Sequence, residues 1–233
     1  PLITGLAGQH LIRVDDAHEV RIATLRRANP EHFANRDDKP PPYRALHFDV
    51  PLGWSPGVNA AGDLGWVAPR AKRVWSVVER QHEQPMTSAE AIDGWTERLT
   101  ARGLTWTAGD TNASTVDDRD ATEVSFLVGR DGDKPSVIRL NVVARGQWTL
   151  MTVWQCDSDA ESRLDPLYSR LFTSVQWDDP ESLVEAKATL RVRPNAARYQ
   201  AELARARGEV GEVDAALDIW LRLLEEKPDD RDS

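Results

Sequence analysis

Residues 136–155, SVIRLNVVARGQWTLMTVWQ, constrain the fold of this chain more than any other stretch. Two runs, SVIRLNVVARG and QWTLMTVWQ, meet at Gly146. Both are rich in strand formers and apolar on nearly both faces. A strand with two apolar faces belongs in the middle of a sheet, with cover on each side. Gly146 allows a tight turn, so the two runs form an antiparallel pair.

The flanking segments extend that sheet and cover it. RVWSVVER, LTWTA and TEVSFLVGR read as strands, LTWTA as a short one, and RDGDK as a hairpin turn. Upstream, YRALHFDVPLGW at 43–54 alternates, with Leu46, Phe48 and Val50 on one face and Ala45, His47 and Asp49 on the other. Pro51 ends that ladder, Gly53 permits a bend, and Trp54 folds back as a lid on the core face. Residues 51–70 then read as a long turn-rich loop. TSAE at 87–90 is a capping box before a helix whose stripe is Ile92, Trp95 and Leu99, closed by Gly103. SDAE at 158–161 repeats the logic before Leu164, Tyr168, Leu171 and Val175. Hairpin-linked strands covered by two helices make an α+β domain over 43–179.

On either side of this domain the composition shifts. Residues 1–42 hold two alternating runs, LIRV and EVRIATL, which suggest a hairpin, then a polar linker ending in Pro40, Pro41 and Pro42. Residues 180–233 carry a helical period in PESLVEAKATLRV, AARYQAELARARG and EVDAALDIWLRLLEEKP, with Pro180 at a helix start. Pro194 and Pro228 stand 34 residues apart, the tetratricopeptide period. On that frame Leu203, Ala216, Trp220 and Pro228 fall at signature positions and Gly211 in the inter-helix turn, whereas Gln200, Ala204 and Arg207 depart from it. One pair is too few for a free-standing solenoid. The tail therefore packs on the sheet domain, on its own helix 181–192, or on another chain.

The strand ending FDVPLGW, the capped helix, the hairpin strands and the closing LYSRLFTSVQW together resemble the PsbP/DcrB superfamily over residues 43–177. Pro51, Gly53 and Trp54 match its P-x-G-W opening. Leu171, Phe172, Ser174 and Trp177 match its closing helix. The resemblance implies an antiparallel sheet flanked by helices, as in the Mog proteins. It also implies a role as adaptor, chaperone or assembly factor, with type VI secretion effector chaperones among the relatives.

Side-chain chemistry points the same way. His47 and Asp49 share a strand face without an evident third ligand, so no metal is expected there. His82-Glu83 lacks a second helical His. Cys156 precedes an acidic loop, which raises a thiol pKa and disfavours a nucleophile. VDDRD at 116–120 and DGD at 131–133 lack the order of a calcium loop and read as solvated loops. GLAGQH at 5–10 is no phosphate loop, and no catalytic or cofactor motif is present, so neither cofactor nor enzyme activity is expected. A net charge of −9 and a pI near 5.1 argue against nucleic acid. No apolar run is long enough to span a membrane. One cysteine excludes an internal disulfide, which makes a cytoplasmic setting the expectation, although a disulfide-free exported protein has the same composition.

The expected function is a non-enzymatic protein–protein interaction module, an adaptor, chaperone or complex subunit with a protein partner or a second copy of itself. Trp54, Trp66, Trp220 and Arg207 are the expected contacts, since nine Trp against three Tyr is a rich supply of interface anchors. The alternatives are a small-molecule-binding protein with a Trp-lined pocket, or an enzyme whose site joins His47 or His82 to distant acids.

Overall fold

The computed structural model describes residues 10–16, 19–27, 46–69, 73–130 and 132–226. The chain divides into two compact units. The first runs to Glu79 and adds Ser88–Val143 and Leu150–Trp177; the second comprises Arg80–Thr87, Ala144–Thr149 and the chain from Asp178 onward.

The first unit is built on a seven-stranded antiparallel sheet. In chain order its strands are β5 (Ser55–Val58), β6 (Leu64–Val67), β7 (Val74–Gln81), β8 (Thr105–Val116), β9 (Arg119–Gly129), β10 (Ser136–Arg145) and β11 (Trp148–Asp157). The spatial order is β5-β6-β7-β11-β10-β9-β8. β11 and β10, the two apolar runs, occupy the fourth and fifth places; β11 is buried almost throughout and β10 over most of its length. The mixed α+β class expected for 43–179 is thus the observed one.

Two helices cover opposite faces, and the alternation of β10 assigns them. Ile138 pairs with Phe126 of β9, and Phe126 lies 5.4 Å from Trp95 of α1 (Ser88–Ala101), ring centre to ring centre. Arg139 and Asn141 point the other way. Arg139 binds Glu161 and Asp165 of α2 (Glu161–Thr173), and Asn141 Nδ2 donates to Tyr168 Oη at 2.9 Å. α2 opens with a 3-10 turn at Ser158–Ala160 and shows no side-chain cap, so SDAE starts a helix without acting as a capping box.

Residues 46–51 form two short strands in place of one. β3 (Leu46–His47) pairs with β12 (Gln176–Trp177), and β4 (Asp49–Pro51) joins the hairpin of β1 (His10–Asp16) and β2 (Glu19–Arg27) in a small sheet β1-β2-β4. Ser174 explains the handover at Phe48. Its Oγ accepts from Asp49 N at 2.9 Å and donates to Leu171 O at 2.6 Å, tying the opening strand to the end of α2. Pro51 still has a ladder partner, Leu25. The polar linker read over 26–42 begins inside β2, which runs to Arg27, and its remainder, with the GLAGQH glycines, lies outside the described residues.

The 51–70 segment differs most from expectation. It holds a β-hairpin, β5–β6, in place of a loop. Its glycines were turn signals in the sequence, yet Gly65 serves close approach: a Cβ there would meet Ser76 Oγ and, at 2.8 Å, Trp75 O. Asp63, at the hairpin end, accepts from Trp95 Nε1 at 3.2 Å and pairs with Arg98 at 3.3 Å, which anchors the hairpin on α1. β8 is likewise longer than the short LTWTA strand, because a bulge between Ala108 and Thr111 absorbs Gly109 and lets pairing continue to Val116. VDDRD is accordingly a tight hairpin turn, with Asp117 and Asp118 at φ 50° and 60°.

The second unit joins the tip of the β10–β11 hairpin to α3 (Glu181–Val192), α4 (Ala197–Glu209) and α5 (Val213–Glu226). Of the placements open to the tail, it takes its own helix, α3 against α4. It also takes the hairpin tip, where Gln147 N donates to Glu209 O at 2.8 Å. Gly146, at φ 59°, lies so close to the α4–α5 turn that a Cβ would meet Gly211 N, Glu209 O at 2.5 Å and Val210 C at 2.8 Å. Arg145 closes the junction by binding Asp179 at 2.8 Å and Glu212 at 3.0 Å.

Candidate interaction surfaces

Trp54 follows a turn in which its own N–H donates to Pro51 O at 3.2 Å and Gly53 takes φ 85°. The turn lays the indole over Trp154 of β11, 6.2 Å between ring centres and 20° from parallel. Trp154 is buried and continues to Tyr168 and Phe172 of α2, a row of aromatic rings capped by a half-buried Trp54. Trp54 is thus a lid, but over Trp154 of β11, where the sequence reading set it over the face of Leu46, Phe48 and Val50. Leu52 and Val58, on either side of it, stay exposed.

Trp66 has a different environment from the one expected. It lies on β6, paired with Trp75, and is 0% exposed. A side chain so enclosed presents no surface, so Trp66 is a core residue and not a contact. The loop reading of 51–70 misplaced it because Gly and Pro around it pointed to turns.

Reactive groups are quiet. Cys156 is buried, and burial, with Glu161 and Asp157 adding, pushes its thiol up to about 11, so it is protonated at neutral pH. That upward shift comes from burial more than from the acidic loop. His47 is half-buried and Asp49 buried in separate short strands. His82 sits at 2.8 Å from Thr149 Oγ1, and burial, helped by Arg80, lowers its pKa. Among the described residues no three His, Cys, Asp or Glu side chains gather as a metal site.

Sequence reading missed Glu79. It ends an apolar run, VWSVVE, is buried, and accepts from Trp177 Nε1 at 2.6 Å through Oε1. Its Oε2 has no hydrogen-bond partner among the described residues, and burial raises its pKa against the effect of the Trp177 bond. An acid directly after the apolar run VWSVV was the available signal.

The tail carries the other two expected contacts. Arg207 of α4 is partly exposed and 3.8 Å from Glu212. It lines a cavity of about 360 Å³ with Leu190, Leu203, Ile219 and Arg222. Trp220 is 38% exposed on α5 and does not line that cavity. It stands in a stripe with Val213, Leu217, Leu221 and Leu224, all exposed, while Ala216 and Ile219 of the same helix are buried. Among the described residues no helix is long and apolar enough to cross a membrane.

No family model matches the sequence, and no curated protein matches it. Solved structures do. The PsbP protein of the cyanobacterium Synechocystis sp. PCC 6803, CyanoP, is similar at 13% identity over 66% of this chain and 92% of its own, with a TM-score of 0.45. LpqN of Mycobacterium tuberculosis, involved in cell envelope biogenesis, is similar at 13% identity over 57% of this chain and 83% of its own, with a TM-score of 0.38. PA94 of Pseudomonas aeruginosa, a putative regulator of unknown function, is similar at 12% identity over 55% and 88%, with a TM-score of 0.38. The α+β class rests on the strands and helices themselves.

Proposed function

We propose that this chain is a non-enzymatic protein–protein interaction module: a PsbP/DcrB-like domain carrying a tetratricopeptide-like tail, working as a bacterial adaptor, chaperone or assembly subunit. One observation carries the reading. The apolar side chains Val213, Leu217, Trp220, Leu221 and Leu224 stand together in solvent on α5, and large contiguous apolar patches mark contact sites. Trp220 is the anchor of that contact, because a large rigid ring buries much area with few rotatable bonds. Arg207 supplies a charged contact beside the tail cavity. Half-buried Trp54, with Leu52 and Val58 exposed near it in the chain, offers a second apolar contact on the sheet unit. A cytoplasmic, reducing setting suits the single free Cys156.

The test is affinity capture of the tagged chain from its own cells after cross-linking, followed by mass spectrometry. A partner recovered with the wild type and lost with Trp220→Asp or Trp54→Ala supports the module. A wild-type chain that is a monodisperse monomer and enriches no protein over the variants overturns it.

A further inference from the structure

The spacing on α5 defines what fits it. Val213, Leu217, Trp220 and Leu224 stand at i, i+4, i+7 and i+11, with Leu221 beside them, all exposed. That is the apolar stripe a helix presents to another helix, with ridges and grooves for a near-parallel neighbour. The adjoining side of α5, with Ala216 and Ile219, is already buried in the tail. The apolar surface of α5 spans two adjoining faces, and one of the two is covered.

Charge then chooses the occupant. Asp214, Asp218 and Glu225 run along the rim of the stripe, all exposed. Arg222 is the one cation among the described side chains of α5, and its Nε already donates to Asp218 O at 3.2 Å. A second copy of the chain matches this rim poorly. An antiparallel pair of α5 helices centred between Ile219 and Trp220 sets Asp214 of one copy against Glu225 of the other, like against like. We propose that the bare face of α5 seats one amphipathic helix of a partner protein, apolar on its inner stripe and carrying Lys or Arg along the flank that meets Asp214, Asp218 and Glu225. Apolar burial supplies the affinity, and the acidic rim selects the partner and its direction.

This rests on the interaction reading above, and its test separates the two. Fluorescently labelled helical peptides are titrated with the full chain and read by anisotropy. One peptide has Leu at helix-stripe positions and Lys on the flank; the other has the same Leu and Glu on the flank. The Lys peptide should bind at least about tenfold more tightly, and more weakly as salt rises. Leu217→Asp and Leu221→Asp should each cost about tenfold or more, with helicity unchanged because both side chains are exposed. Asp214→Lys with Asp218→Lys should reverse the peptide preference. Equal binding of the two peptides, or binding of neither, overturns the proposal. So does a chain that sediments as a dimer and becomes a monomer with Leu217→Asp, since a second copy then holds the face. A captured partner that survives Leu217→Asp but is lost with Trp54→Ala overturns this seat while leaving the interaction reading standing.

Discussion

Glu79 is the residue whose environment and chemistry conflict most. Its carboxylate is buried, one oxygen is bonded to Trp177 and the other has no hydrogen-bond partner among the described residues. Burial raises its pKa, so the folded chain holds a proton that the unfolded chain gives up above the ordinary value of 4.5. Stability from this group is complete below that value and is lost as pH rises through the folded pKa. Glu79→Gln keeps an oxygen for Trp177 and removes the charge. It should stabilise the sheet unit at neutral pH by about 1 kcal/mol and have little effect near pH 4, as read from urea midpoints at the two pH values. A variant no more stable than wild type at pH 7 would show that the carboxylate is solvated. Trp54 and Trp66 show what was legible at this scale. The turn ahead of Trp54 could be read from Pro51 and Gly53, because both act through local backbone geometry. The burial of Trp66 depends on its cross-strand neighbour Trp75, which no local pattern around Trp66 specifies.

Among the elements, legibility followed the range of the forces. The helices α1 to α5 show a period within a single run and the strands β7, β10 and β11 an apolar run, and each lies where that pattern placed it. The β5–β6 hairpin was hidden because Gly57 and Gly65 look like turn formers, yet Gly65 meets Trp75 and Ser76 across the sheet. The far half of β8 was hidden because its burial is slight and its residues polar, so no alternation marked it. The junction of the hairpin tip with the tail was invisible for the same reason: Gly146 read as a turn residue, while its second duty, contact with the α4–α5 turn, lies in space and not in sequence. That duty can be measured. Gly146→Ala puts a methyl against backbone atoms that cannot rotate away and an L side chain at φ 59°. The φ term alone costs about 1–2 kcal/mol. Hydrogen exchange should show the amide of Gln147, bonded to Glu209 O, losing protection, while amides inside β11 keep theirs. Uniform loss across both units, or none, would contradict this account.

For the whole molecule, acidity enters through net charge and through His82, and the two have opposite signs. At pH 7 the chain carries −9, so lowering the pH toward the pI near 5.1 relieves self-repulsion and favours the compact state. His82 opposes this. Burial and Arg80 hold its pKa below the ordinary 6.5, so between its folded pKa and 6.5 the unfolded chain binds more protons than the folded one. Its contribution is complete above 6.5 and is lost as pH falls through the folded pKa. Only a difference measurement separates the two, because the net-charge term is common to wild type and variant. His82→Gln retains a partner for Thr149 and cannot protonate. Urea midpoints compared between about pH 8 and pH 5 should show the wild type losing ground to His82→Gln below pH 6.5 and running parallel to it above. His82 belongs to the unit of hairpin tip and tail helices. If the two units unfold in separate steps, the pH-dependent difference should therefore fall in the tail's transition alone. A difference that instead follows the sheet unit, or that widens as pH rises above 6.5, would show that another titrating group sets the acid limb of the profile.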